Sequence, residues 1–228
     1  RVYVAVRDET WDTPDADFVG TETLTYTLTD SRSIDQAQVT VNAFAVTSVS
    51  IEVGNDALEI DVVENMLRVR RNGVVDDTLG DVFSGSVDSI TLTAGDGDNL
   101  IDLSGVTPGD FTLGTGVTIS VDAGAGQDTI IGSGLSDMIE GGEGDDKINT
   151  GGGDDTAVGG AGDDTLNGGS GKDSLSGGDG NDKVNGQGTS ENTVSGGPGD
   201  DTLYGGTGGG DEVSLIDVNR SGTPLMEI

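Results

Sequence analysis

Cysteine and histidine are both absent from this chain of 228 residues. Without them, its residues cannot assemble a thiol nucleophile, a disulfide framework, a histidine-based triad or an ordinary zinc site. Lack of cysteine does not by itself exclude export. Aromatic residues are scarce at 4 % and hydrophobic ones make up 32 %, so a broad globular core would be thin. Positive charge is also scarce, with 10 Lys and Arg against 42 Asp and Glu and a formal net charge of -32. That balance disfavours nucleic acid or an anionic membrane as partner, and it opposes compaction by self-repulsion unless something neutralises it. No apolar run approaches membrane-spanning length, so membrane insertion is not expected. Arg1 opens the chain and no apolar leader follows, which reads as a piece of a longer protein with further domains upstream.

What the chain does have is glycine, 41 residues of it, and acids in strict phase. Acidic disorder would scatter its carboxylates irregularly. Here aspartate falls at 128, 137, 146, 155, 164, 173 and 182 without a slip. An aliphatic follows two residues later at Ile130, Ile139, Ile148, Leu166, Leu175 and Val184, with Ala157 as the small exception. The clearest units are GGEGDDKIN (Gly141–Asn149), GGAGDDTLN (Gly159–Asn167), GGSGKDSLS (Gly168–Ser176), GGDGNDKVN (Gly177–Asn185) and GGPGDDTLY (Gly196–Tyr204). Their common form is G-G-x-G-x-D-x-U-x, U being a large aliphatic. Past Val184 the spacing loosens by one residue; Asn192 stands where an aspartate would be, and Asp201 and Asp211 resume the series.

Each position has a physical task. Glycines permit a close turn with positive φ, in which successive carbonyl oxygens can aim inward. The sixth-position aspartate adds carboxylate oxygen, the hard donor that Ca²⁺ takes in a shell of six to eight. The D-x-U-x run supplies a short strand with its aliphatic inward and Thr, Lys or Ser outward. Two units make one coil, so loops alternate between two edges and unit n lies against unit n+2. The expected fold is all-β, a calcium-dependent parallel β-roll of two sheets with an N-terminal β region. Asp128, Asp146, Asp164 and Asp182 then share one edge, and Asp137, Asp155 and Asp173 the other; Asp201 and Asp211 complete the candidate metal ligands. Carboxylates stacked about 4.8 Å apart would repel by about 3 kcal/mol per pair at an effective dielectric near 20. That matches or exceeds the roughly 1.5–3 kcal/mol that a buried aliphatic returns. Folding should therefore wait for the ion.

Upstream of the ladder, residues 1–45 read as strands, with Leu24, Tyr26 and Leu28 alternating against threonines and Val39 and Val41 sharing a face. Residues 46–121 are short strand-like runs broken by Gly, Asn and Asp, an irregular β region leading into the solenoid. Within it, Ser89–Leu92 followed by Gly95–Asp98 looks like a forerunner of the repeat. The roll is assigned to residues 122–214 and a C-terminal tail to 215–228.

The nonapeptides resemble the RTX, or haemolysin-type, calcium-binding repeat family over about residues 123–213. That resemblance implies a parallel β-roll, export, and folding driven by calcium outside the cell; the expected location is extracellular, secreted or cell-surface associated. Ser133 and Leu135 in place of glycines, Ala157 on one core rung, and the extra residue in Gly186–Ser195 with Asn192 mark units whose sites should be weak or absent. Residues 1–45 resemble the last strands of a bacterial cadherin-like or immunoglobulin-like sandwich, through F-x-G-x-x-x-x-x-Y-x-x-x-D at Phe18, Gly20, Tyr26 and Asp30. In such domains acids near the module ends can bind calcium, which would make Asp15, Asp17 and Asp30 minor candidates beside the simpler reading of solvated turn acids. No catalytic residue is expected and the chain reads as a non-enzyme, since H-E-x-x-H and G-x-S-x-G are missing and its carboxylates sit in glycine-rich loops. Alternative readings are a structural or adhesive surface or matrix module, whose partners are other surface or matrix proteins, and the non-catalytic part of a secreted enzyme or toxin.

Overall fold

The computed structural model describes residues 20–29, 34–43, 48–52, 57–63, 66–75, 82–83, 87, 89–110 and 117–215. Asp15, Asp17, Phe18 and Asp30 lie outside the described residues, as does the tail beyond residue 215. The chain divides into two compact units, Arg1–Ala45 and Val46–Ile228. In the first, the period-two segments pair as antiparallel strands, Gly20–Thr29 with Ile34–Ala43, in unbroken register from Gly20 opposite Ala43 to Thr29 opposite Ile34.

The second unit is a parallel β-solenoid, as the nonapeptide spacing predicts. One eight-stranded sheet runs Ser48–Glu52, Ser89–Thr93, Thr118–Asp122, Asp137–Glu143, Thr156–Ala161, Ser174–Asp179, Thr193–Ser195 and Glu212–Ser214. The other stacks Ala57–Val63, Leu100–Gly105, Thr129–Ile131, Lys147–Asn149, Thr165–Asn167, Lys183–Asn185 and Thr202–Tyr204. Each coil advances by 18 residues, and by 19 once the extra residue after Val184 has entered. The sheets continue upstream of the regular repeat: the strands at 89–93 and 100–105 pair in parallel with those at 118–122 and 129–131. The offset there is 29 residues instead of 18.

Glycine is demanded where one turn lies against the next. Gly160 has φ +122, and a Cβ on it would collide with the carbonyl of Gly142 in the preceding coil. No L side chain fits that conformation and that gap together.

Two aliphatic rows fill the space between the sheets. One runs Leu92, Val121, Ile139, Ala157, Leu175 and Val194, the other Ile101, Ile130, Ile148, Leu166 and Val184, and every member is buried. A third row changes character along the axis. Ile90 pairs with Ile119, and Ile119 with Asp137, after which the row continues as Asp155, Asp173 and Asn192. The early coils thus close one edge with isoleucine where later coils use a polar side chain. The core is also wider there, taking in Leu58, Ile60, Leu67, Val69, Leu103, Val106 and Val117.

Parallel stacking is stopped at the N-terminal end of the second sheet by a hairpin. Ala57–Val63 turns back antiparallel against Met66–Arg71. Across it the Arg68 guanidinium grips both oxygens of Asp61, and Arg70 reaches Glu59 (2.6 Å) and Asp61 (3.3 Å). The Arg68 hydrogen bonds hold the Asp61 carboxyl below its ordinary range. The outer side of Met66–Arg71 is in turn covered by the short antiparallel strands Val74–Val75 and Val82–Phe83, which end the sheet.

Because each coil contributes one large aliphatic per sheet, deleting one should be felt by the whole stack. Leu166→Ala should cost about 2–5 kcal/mol and raise the calcium concentration at the folding midpoint, read by far-UV circular dichroism. An unchanged midpoint would show that the row does not carry the stack.

Candidate metal sites

The six-residue turn between strands brings the sixth-position side chains inward, in line with the core. Asp128, Asp137, Asp146, Asp155, Asp164, Asp173 and Asp182 are buried to within a few per cent of full enclosure. Asp128, Asp146, Asp164, Asp182 and Asp201 stack along one edge; Asp137, Asp155, Asp173, Asn192 and Asp211 stack along the other.

These carboxylates do not simply repel across the coils. The backbone N–H of each donates to the Oδ1 of the next: Asp128 to Asp146, Asp146 to Asp164 and Asp164 to Asp182, all at 2.8 Å, and Asp182 to Asp201 at 2.9 Å. Asn99 sits at the foot of this ladder, donating its N–H to Asp128 Oδ1 at 2.7 Å. The segment Gly95–Asn99 is therefore a further turn of the same kind, with asparagine in the sixth position.

A second ladder runs the opposite way at the exposed fifth position. Asp163 N–H donates to Asp145 Oδ1 (2.9 Å), Asn181 N–H to Asp163 Oδ1 (2.8 Å), and Asp200 N–H to Asn181 Oδ1 (3.0 Å). On the other edge Lys172 N–H donates to Asp154 Oδ1 (2.8 Å). Sequence reasoning passed over these residues. Their signal was the run of Asp and Asn immediately before the sixth-position acid.

The remaining carboxylate oxygens are where a ligand is wanted. Oδ2 of Asp128, Asp146, Asp155, Asp164, Asp173 and Asp182 is buried and accepts no hydrogen bond. What three of them face is shown by the glycine that opens the turn. A Cβ on Gly159 would touch Asp164 Oδ2 and, at 2.5 Å, the carbonyl oxygen of Gly177 in the next coil. Gly141 stands in the same way between Asp146 Oδ2 and the Gly159 carbonyl, and Gly168 between Asp173 Oδ2 and the Gly186 carbonyl. Two acceptors converge on a buried point with no donor between them, which costs free energy until a cation or a proton arrives. The donor set, all oxygen and part carboxylate, part carbonyl, suits a hard cation such as Ca²⁺. Among the described residues no three acidic side chains converge on one point, so the main chain must supply much of any shell.

Four overlapping copies of the RTX calcium-binding nonapeptide repeat are matched in this chain, at residues 122–157, 131–166, 158–189 and 188–210. Residues 122–210 are RTX calcium-binding repeats. Neither a curated protein nor a solved structure gave a match to the chain. The RTX repeats bind Ca²⁺ in a β-roll, the fold seen here, and such a roll is typically a non-catalytic module.

Burial also displaces proton equilibria. It pushes the carboxyls of Asp164 and Asp137 up to about 7, and those of Asp146 and Asp173 up to about 6, with neighbouring carboxylates adding to the effect. In the unfolded chain the same groups ionise near 3.8. Between those values the ion-free fold holds protons that the unfolded chain has lost. Its stability is therefore fully present below the unfolded pKa and drains away as pH rises towards about 7. In EDTA, β-structure by circular dichroism should be greater at about pH 5 than at about pH 8, whereas calcium should bind more weakly at the acid end, where its ligands are protonated. Equal β content at both pH values would rule out these carboxyls as determinants of the ion-free fold.

Proposed function

We propose that this chain is a calcium-folded segment of a secreted or cell-surface protein, in which each ion bridges consecutive turns and so ties ion binding to coil stacking. The observation that carries the reading is the buried Oδ2 facing a carbonyl oxygen of the next coil, repeated along the RTX turns. The ligands proposed are Asp128, Asp137, Asp146, Asp155, Asp164, Asp173, Asp182, Asp201 and Asp211, with the turn carbonyls beside them. Bound calcium supplies positive charge between oxygens that otherwise oppose one another. The chain's part is to orient them: the Oδ1 ladder fixes each carboxylate, and the glycines let the carbonyls approach.

An exported setting is what the expected affinity would suit. Oxygen-ligated modules of the extracellular kind are tuned to about 10⁻⁴–10⁻³ M, so the roll stays unfolded where calcium is low and sets where it is high. The net charge of -32 acts in the same direction, keeping the ion-free chain expanded.

Among the candidate tasks of the parent protein, the RTX roll fits a structural or adhesive module better than part of a catalyst. The antiparallel pair at residues 20–43 and the sequence around Phe18 and Asp30 support a cadherin-like or immunoglobulin-like domain beside it. Partners would then be other surface or matrix proteins.

The test is a titration with CaCl₂ up to roughly 10 mM, starting from EDTA and followed by far-UV circular dichroism, with Mg²⁺ as control. A cooperative gain of β signal is expected near 10⁻⁴–10⁻³ M, without an equivalent response to Mg²⁺. A spectrum that is already β-rich in EDTA at neutral pH, or one that never responds, would defeat the proposal.

A further inference from the structure

The two edges of the roll differ at the point where carboxylate and carbonyl meet. On the edge of Asp146, Asp164 and Asp182 the turn opens with glycine, and the Oδ2 has no donor. On the other edge three of the turns bring a donor of their own.

At Asp137, Ser133 replaces the second glycine of the turn. Its N–H donates to Oδ2 (2.7 Å) and its hydroxyl to Oδ1 (2.8 Å), so both carboxylate oxygens are served from within the turn. At Asp155 the turn opens with Thr150 in place of glycine. This side chain is fully buried, and its hydroxyl donates at 2.5 Å to the carbonyl of Gly168, the opening residue of the next coil. Its side chain stands where glycine leaves a gap in the Asp146 and Asp164 turns and serves the carbonyl there, although Asp155 Oδ2 itself still accepts no hydrogen bond. At Asn192 the amide takes the carboxylate's place. Its Oδ1 keeps the ladder, accepting from Asp173 N–H at 2.8 Å. Its Nδ2 lies where the orphaned Oδ2 would be and donates to the carbonyls of Gly205 (3.0 Å) and Gln187 (2.9 Å). Gln187 is held in the left-handed region at φ +55, a conformation costly for a residue with a Cβ. It presents its carbonyl to that amide.

We propose that calcium is held along one edge of the roll, at Asp146, Asp164 and Asp182, whose turns open with glycine, while on the opposite edge Ser133, Thr150 and Asn192 stand in for the ion with hydrogen bonds. Asp173, whose turn opens with Gly168 and whose Oδ2 has no donor, is the one turn of that edge among the described residues that keeps an ion-type gap. This inference rests on the reading that the gaps hold calcium. It narrows the list of ligating aspartates by removing Asp137 and Asp155, and it explains why the irregular units persist in a working stack. Ion-free closure on one edge lets those coils stay in register while calcium sets the other.

The experiment counts calcium per chain by equilibrium dialysis and calorimetry, on the full chain. Asp137→Asn and Asp155→Asn should leave the count unchanged. Asp164→Asn should lower it, with the new amide free to bond the Gly177 carbonyl as Asn192 bonds that of Gly205. Asn192→Asp, which restores an acceptor opposite an acceptor, should add an ion. Should a variant fold poorly, the unsubstituted chain decides by NMR with Mn²⁺ as paramagnetic probe. Amides at 142–145 and 160–163 should broaden first, and those at 133–136 and 187–191 should stay sharp. Equal losses from Asp137→Asn and Asp164→Asn, or equal broadening on both edges, would overturn the one-edge arrangement while leaving calcium binding intact. No calcium bound at all would overturn both.

Discussion

A carboxylate oxygen and a carbonyl oxygen placed face to face in a dry turn cannot satisfy one another. Asp164 Oδ2 and the Gly177 carbonyl stand in this relation, and so do their counterparts at Asp146 and Asp173. Everything else about the repeat serves to build that confrontation and then to resolve it. Glycine removes the Cβ that would keep the oxygens apart, and the N–H to Oδ1 ladder aims the carboxylate. The strand of three residues returns the chain to the opposite edge in time for the next turn. An ion arriving between the oxygens converts the worst contact in the coil into its strongest link.

The solenoid resolves the same geometric problem in several ways along its length. Isoleucine closes one edge at Ile90 and Ile119, where no polar atom needs a partner. Further on, the same edge carries Asp137, Asp155, Asp173 and Asn192, with donors supplied in three of those turns by Ser133, Thr150 and the Asn192 amide. On the other edge the buried Oδ2 atoms of Asp128, Asp146, Asp164 and Asp182 have no donor at all. The backbone path is shared by all of them, which is why the sheets pass through residues 89–122 into the regular repeat without interruption.

The parallel roll, the pairing of unit n with n+2 and the division of aspartates between two edges were legible in the sequence, because glycine, aspartate and aliphatic hold separate tasks at fixed positions in nine. The turn at Gly95–Asn99 was visible only as a forerunner. Its offset of 29 residues from Asp128 does not fit the period of 18. The fifth-position ladder was missed for a different reason. Asp145 and Asp163 look like surplus surface charge until the neighbouring coil supplies the N–H groups they accept. Thr150 was likewise invisible, since its meaning depends on a carbonyl 18 residues away. Periodicity reveals which residue types recur, but not the direction in which a hydrogen bond points across the stack.

The change from isoleucine to aspartate along one row gives the molecule a polarity in time as well as in space. Stacked repeats interact chiefly with their nearest neighbours, so assembly needs a first coil that stands before the others can add to it. The coils around Leu92, Ile101 and Ile119 bury a broad apolar core, and the buried sixth-position side chain they contribute is the amide of Asn99, not a carboxylate. Such coils would make a seed whose cohesion needs no bound ion. If calcium locks the later coils as proposed, each would add to the exposed face of the one before it, and growth would proceed towards the C-terminus at a pace the medium sets. A fall in calcium should peel the structure back in the reverse order and spare the seed, leaving a template on which the same coils re-form.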